Sequence, residues 1–400
     1  MPAQIMNQDP GPCLEMITIT TTQELEAFCR KASSAPYLTV DTEFMRERTY
    51  YSKLCLVQLA VPGTSEGDAV LVDPLEGGLA LDPLHELLGN RNVTKVFHAA
   101  RQDVEIFFVE GGVIPFPLFD TQVAAMVAGF GEQVGYETLV RKIAGAELDK
   151  SSRFTDWSRR PLSNAQKRYA LADVTHLRDI YEHLSAELDA SGRRSWVEEE
   201  LAVLVDPATY AIKPEDAWRR IKTRSDSGRH LAIVRELARF RETYARDRNI
   251  PRNRVIKDDA ILELASTRPR TMEQLFRSRR LPRNARTGEI ARGLLAAVKA
   301  GIETPDDRLP SSGRAHGQAQ VNPALSSLLR VLLNAKSEEL GVAQKLIATS
   351  SELDEIAAGN YDCQALTGWR RKAFGEDALG LCKGRLALRA KGTSVEVFEV

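Results

Sequence analysis

Apolar positions in the first two hundred residues alternate between two periods. MITITTT, PYLTVDTEF, LCLVQLAV and AVLVDP are short runs rich in Val, Ile, Leu and Thr, side chains that suit a buried or half-buried strand. The last three follow one another across short connections, which predicts adjacent antiparallel strands. LDPLHELLGN then repeats its apolar positions at helical spacing, TKVFHAA reads as a strand and RQDVEIFFVEG as a helix. From about Thr121 to Leu188 the spacing is mostly helical. Strands in meander followed by αβα units predict an α/β fold, a mixed sheet flanked by helices.

Periodicity lapses around residues 205–215 (VDPATYAIKPED), where two prolines interrupt it. Beyond that point the pattern is helical only. HLAIVRELARFRETYARDRNI is amphipathic and stops before Pro251; DDAILELASTRP, TMEQLFRSRRLPRN and GEIARGLLAAVKAGIE follow. TPDDRLPSSGRAHGQAQ, rich in Pro, Gly, Ser and Gln, reads as a flexible linker. PALSSLLRVLLNAKSEELGV opens a second small helical unit that runs to the end of the sequence. The expected organisation is a flexible lead-in (1–15), an α/β domain (16–205), a helical module (213–302), a linker (303–320) and a second helical module (321–400).

Composition narrows the class. No apolar run reaches the eighteen or so residues of a membrane span, and the first residues lack the basic-then-apolar order of a secretory signal. The five cysteines are scattered, with no two at C-x-x-C spacing, which argues against a disulfide framework or a zinc site and for a reducing cytoplasm. The formal net charge of −1 conceals an asymmetry: residues 1–200 hold 30 acidic and 19 basic side chains, residues 201–400 hold 25 and 35. Residues 213–300 alone carry 23 basic against 11 acidic, a net of +12. Such a stretch favours a polyanionic partner, the alternative being a solvated helical surface.

Several acids and one phenol are candidates for chemistry. Asp41 and Glu43 lie two apart at the end of an apolar strand, a spacing that puts both carboxylates on one face. Buried without a counter-charge they would be costly, and a divalent cation removes that cost; alternatively the chain leaves the sheet there and the acids meet water. Tyr169 and Asp173 are four apart on a helix and so share a face. Asp103 stands in a first helical turn, where an acid also complements the helix dipole. Asp120 reads as a helix N-cap outside any site, and His98 as a structural histidine. Four carboxylates with no His or Cys cluster form a hard-oxygen set suited to Mg²⁺ or Mn²⁺.

In order and type these residues resemble the DEDD exonuclease superfamily, in particular its tyrosine-containing branch and the bacterial ribonuclease D family within it. DTEFMRERTYYSKLCLVQLA, KVFHAARQDVEIF and LDKSSRFTDWSRRPLSNAQKRYALADVTHL each look like that family's segments nearly end to end. Residues 225–300 are similar to the HRDC module, and the last eighty to a more diverged copy. Lys167 and Arg168 depart from the apolar residues usual before the tyrosine. The resemblance implies a ribonuclease H-like sheet followed by two small all-α HRDC-type domains.

It also implies a 3′→5′ exoribonuclease releasing nucleoside 5′-monophosphates. In that family Asp41, Glu43 and Asp173 would hold one ion, Asp41 would bridge to a second supported by Asp103, and Tyr169 would orient the attacking water. Two ions about 3.5–4 Å apart clamp the attacking and leaving oxygens of a phosphodiester. Expected partners are single-stranded RNA 3′ ends, tRNA precursors among them, with no membrane and a monomeric chain. Trp157 and Arg160 are candidates to stack on and grip the substrate, or else to pin their loop and cap a carboxylate. Arg252, Arg254 and Lys257 would add salt-sensitive backbone affinity. A DNA exonuclease of the same superfamily and a non-catalytic nucleic-acid scaffold are the competing readings; the scaffold predicts a lost carboxylate, and none is lost.

Overall fold

A computed structural model describes residues 16–400 except 66, 150, 212, 224, 226 and 312–320, so the lead-in (1–15) and much of the expected linker lie outside the described residues. The chain divides into two compact units. One comprises the residues up to Phe44 with Leu54–Ala124 and Val134–Arg194; the other comprises Met45–Lys53, Ala125–Gln133 and Ser195–Val400.

The first unit is built on the six strands β1 (Thr18–Ile19), β2 (Tyr37–Met45), β3 (Lys53–Ala60), β4 (Ala69–Val72), β5 (Thr94–Phe97) and β6 (Leu118–Asp120). Their spatial order is β1-β4-β3-β2-β5-β6. β3 and β4 pair antiparallel, while β1–β4, β2–β5 and β5–β6 are parallel, which is the mixed sheet the meander predicts. β6 falls between the helix read over 101–111 and the helical stretch from about Thr121, in residues that the pattern assigns to no element, because three residues are too few to show a period.

Around the sheet run α1 (Thr22–Ala32), α2 (Asp82–Gly89), α3 (Arg101–Gly111), α4 (Thr121–Val127), α5 (Tyr136–Leu139) and α6 (Asn164–Ala190). α6 begins at a capping box, in which the Ser163 hydroxyl accepts from the Gln166 N–H and the Gln166 side chain accepts from the Ser163 N–H. It then buries Ala170, Asp173, Val174, Leu177, Ile180, Leu184 and Leu188. Asp173 thus sits inside the apolar stripe that packs on the core, not on the solvent face.

The second unit carries α7 (Arg194–Leu201) from Ser195 onward, then α8 (Gly228–Asp247), α9 (Arg252–Val255), α10 (Asp258–Thr267), α11 (Met272–Phe276) and α12 (Gly288–Ile302). Ile233, Val234 and Leu237 of α8, Ile261 and Leu264 of α10, and Leu294 and Val298 of α12 share one core. α12 approaches α8 so closely that a Cβ on Gly301 would lie 2.5 Å from the Ile233 Cα, so this position requires glycine.

After α13 (Pro323–Leu340), α14 (Gln344–Ile347), α15 (Ser350–Ala357), α16 (Gly368–Arg370) and α17 (Glu376–Cys382), the chain ends in an antiparallel hairpin of β7 (Leu386–Lys391) and β8 (Ser394–Glu399). The expectation of an all-helical second module is corrected there. LALRAK and SVEVFE alternate with period two, and Gly392 supplies the positive φ of +63° that the turn needs.

Candidate active site

β2 is buried from Tyr37 to Val40 and emerges at Asp41–Met45, so Asp41 and Glu43 stand where the central strand leaves the core. Two contacts set their neighbours. The Thr39 hydroxyl lies 2.9 Å from the Val174 carbonyl and 3.1 Å from that of Ala60, which ties α6 to the strand one residue from Asp173. Asp120, at the end of β6, accepts from the N–H groups of Ala99 (3.0 Å) and Ala100 (2.8 Å) and so fixes the turn that launches α3. Ala99 holds a left-handed φ of +60° in that turn. Asp103 follows in the first turn of α3, 6% exposed. Asp120 also accepts from Gln122 N–H at 2.8 Å, the capping role expected of it.

The four carboxylates act on one another. Burial first, then the Asp173 charge, lifts Asp41 well above the usual carboxylate range. Burial and then Asp41, Asp173 and Asp103 push Glu43 up to about 9. Burial and then Asp41 raise Asp103 well above its ordinary value, although its hydrogen bond from the Thr42 hydroxyl opposes the rise. Burial raises Asp173 to about 7, against the pull of a hydrogen bond with Tyr169 and of the Arg153 charge. Burial is the first cause at all four, and a neighbouring acid adds to it at Asp41, Glu43 and Asp103. The Tyr169 phenol is pushed up by burial and by Asp173, Glu43 and Asp41, and remains protonated at neutral pH.

Asp41, Tyr169 and Asp173 border a cavity of about 250 Å³ whose lining also includes His98, Tyr136 and Arg153. Tyr136 donates to the Ala172 carbonyl at 2.9 Å, on the helix turn before Asp173. His98 is satisfied by Thr121, Nδ1 to Oγ1 3.0 Å, and burial lowers its pKa, which agrees with a structural and neutral histidine. Thr42, Tyr136 and Arg153 were not singled out in the sequence. Strand alternation puts Thr42 on the opposite face from the two acids, Tyr136 opens a helix of only four residues, and Arg153 sits in a turn, so no period marks any of them.

As the side chains stand, no three His, Cys, Asp or Glu among the described residues form a group able to hold a metal ion. Thr42 engages one oxygen of Asp103, and Tyr169 hydrogen-bonds Asp173.

The other nominated residues fall elsewhere. The Arg160 guanidinium donates from Nε (2.5 Å) and Nη2 (2.6 Å) to Asp73, from Nη2 to the Cys55 carbonyl, and from Nη1 to those of Trp157 and Arg159. All five of its N–H groups are engaged, which leaves none for a phosphate. Trp157 is 3% exposed, its ring 6.1 Å from that of Tyr169. Of the two readings offered for this pair, these contacts favour loop-pinning. Arg252, Arg254 and Lys257 belong to the second unit: Arg252 lies over the Tyr50 ring at 5.9 Å and 3.8 Å from Glu242, while Arg254 and Lys257 are exposed.

Comparison with known proteins bears on the whole chain. A 3′-5′ exonuclease family model matches residues 16–189, and an HRDC domain model matches residues 230–298. Ribonuclease D of Jannaschia sp. (strain CCS1) is 63% identical over 383 residues, covering 96% of this chain and 99% of that protein. Ribonuclease D of Granulibacter bethesdensis is 49% identical over 400 residues, 100% of this chain and 99% of its own. The crystal structure of Escherichia coli RNase D superposes with a TM-score of 0.80 at 29% identity, covering 92% of this chain and 98% of that one. Since these relatives match both units end to end, the chain belongs to the ribonuclease D family and is a 3′→5′ exoribonuclease.

Proposed function

We propose that Asp41, Glu43, Asp103 and Asp173 carry the reaction by holding two divalent cations, Mg²⁺ or Mn²⁺, and that Tyr169 positions the attacking water, as in the tyrosine branch of the DEDD exonucleases. The observation that carries this reading is that Asp41 and Asp173 line one cavity with Tyr169, while the charges of Asp41, Asp103 and Asp173 all bear on Glu43. A protein gains nothing in stability from such a cluster alone; it becomes favourable once a dication neutralises it. The donor set is all oxygen, which fits a hard cation. Such ions, when bound, supply charge neutralisation at the phosphodiester and make the attacking water more acidic.

The remaining steps belong to the chain. Tyr169, with its proton retained, offers the water a fixed hydrogen-bond partner and keeps Asp173 oriented. Thr42 orients Asp103 in the same way. Attack at the terminal phosphodiester of a free 3′ end releases a nucleoside 5′-monophosphate and leaves a chain one residue shorter.

We further propose that the substrates are 3′ ends of tRNA precursors and other structured RNAs. The E. coli relative is described as an exoribonuclease involved in structured RNA processing, and the segment 213–300 is strongly basic here. One chain carries every side chain named above, which supports a monomer. A reducing cytoplasm suits Cys29, Cys55, Cys363 and Cys382, which form no disulfide; no helix among the described residues is long and apolar enough to cross a membrane.

The decisive assay incubates 3′-labelled RNA and its DNA counterpart with Mg²⁺ or with EDTA. Labelled mononucleotide should appear from RNA with Mg²⁺ only. Asp41→Asn should bind RNA but reduce its cleavage by at least about 10²–10³-fold, the usual effect of losing one charge-stabilising group. Substantial activity in that variant would remove Asp41 from the reaction.

A further inference from the structure

The loop between residues 145 and 163 leads into the catalytic helix, and most of it is firmly held. Ser152 and Trp157 are buried, Thr155 bonds the Ser152 carbonyl, Gln166 bonds Thr155, and Arg160 is locked on Asp73. Two adjacent side chains in the held loop face outward. Phe154 is 91% exposed, the most exposed large apolar side chain among the described residues, and the Arg153 guanidinium lies 5.3 Å from its ring centroid.

A lone exposed apolar residue is ordinary. This one is tied to the active-site cavity, because Arg153 lines that cavity beside Asp41, Tyr169 and Asp173. Arg153 forms no ion pair with a described residue, in contrast to Arg160, and it is the one guanidinium among the residues lining the cavity. A cation at the mouth of an acidic cleft is matched to a phosphate, and an exposed aromatic face beside it is matched to a base; together they form the stacking-plus-charge arrangement that grips single strands without regard to sequence.

We propose that Arg153 and Phe154 are the substrate-positioning pair for the RNA 3′ end, with Phe154 stacking on a base near the scissile linkage and Arg153 contacting the backbone phosphate beside it. The proposal rests on the catalytic reading above. It replaces Trp157 and Arg160 as the grip, moving it three to seven residues along the same loop.

The test uses the full chain and single-stranded oligoribonucleotides. Phe154→Ala should raise KM about ten-fold or more, the size of one lost base stack, with kcat within about two-fold. Phe154→Trp should restore KM. In an Asp41→Asn background, 2-aminopurine placed in turn at each of the three 3′-terminal positions should be quenched on binding at one of them, and that quench should vanish with Phe154→Ala. Arg153→Gln should lower the slope of log affinity against log salt by about 0.7, one phosphate contact on a single strand. An unchanged KM in Phe154→Ala, or quenching that survives it, overturns the stacking role; an unchanged salt slope in Arg153→Gln overturns the phosphate role. If Asp41→Asn itself still cleaves, the catalytic reading fails instead, and the two failures are distinguishable.

Discussion

The acidic cluster makes a thermodynamic demand that can be measured without any substrate. Asp173 is 9% exposed and its pKa rises from 3.8 to about 7, burial being the main cause. An acid whose pKa is raised in the fold holds its proton there after the unfolded chain has released it. Its contribution to stability is therefore complete below pH 3.8 and is lost as pH climbs through about 7. Between pH 5 and 7 the fold's excess of bound protons at this group falls from about one to about a half, a slope of at most about 1.4 kcal/mol per pH unit and a loss of roughly 2 kcal/mol. Glu43, raised to about 9, acts with the same sign over a wider range, as do Asp41 and Asp103. For a unit of this size the loss corresponds to roughly 4–8 °C in melting temperature. Thermal melts of the chelated protein should show that fall. Mg²⁺ or Mn²⁺ should raise the midpoint more at pH 8 than at pH 5, since a dication favours the ionised acids. Asp173→Asn, an isostere of the protonated acid, should flatten the slope by its share. A chelated protein whose midpoint is constant or rises from pH 5 to 7, with a pH-independent response to Mg²⁺, would refute the claim that these carboxylates strain one another.

Three further outcomes separate positioning from contact. Arg160→Ala leaves Asp73, 2% exposed, as a buried charge without its partner, and should cost about 3–5 kcal/mol in denaturant unfolding. Arg160→Lys should also destabilise, because a lysine cannot reproduce the two-pronged contact; a stable variant with a raised KM would instead return Arg160 to the substrate. Thr42→Val removes the hydrogen bond to Asp103 and should lower cleavage about 10–100-fold, with Thr42→Ser near the parent rate in the same steady-state assay. Exchanging the exposed Arg254 and Lys257 together for Gln should lower the salt slope of RNA binding by about 1.4 and leave kcat on short oligomers unchanged, as filter binding and single-turnover rates would show.

What the sequence displayed was periodicity, and periodicity is local. The strand acids Asp41 and Glu43, and the pair Tyr169 and Asp173, were legible because their spacing matches the period of the element that carries them. Thr42 was not, because strand alternation assigns it to the opposite face from its neighbours, and nothing in the spacing connects it with Asp103 sixty-one residues later. Arg160 could be read as a grip or as a pin with equal justice from its neighbours alone; the partner that decides is Asp73, eighty-seven residues upstream on the exit of β4. The C-terminal hairpin was missed for the opposite reason, since its period-two signal was present but was absorbed into an expectation of helices carried over from the preceding segments.

The same distinction explains how acids so far apart in the sequence come within reach of one another's charge. Parallel pairing of β2 with β5 brings the end of one strand beside the start of α3. Asp120 holds that start through the Ala99 and Ala100 amides, and Thr39 holds α6 through the Val174 carbonyl. None of these three contacts joins two of the proposed metal-binding acids, yet each helps fix the position of one, and each depends on a small polar group that sequence reading assigns to capping or to a strand face. The apolar pattern selects the fold; these buried hydroxyl and carboxylate bonds set the distances within the cleft, because a buried polar group left unpaired costs about 1–3 kcal/mol and so resists being moved from its partner. Thr39→Val, which keeps shape and removes the hydroxyl, should therefore affect cleavage more than melting temperature.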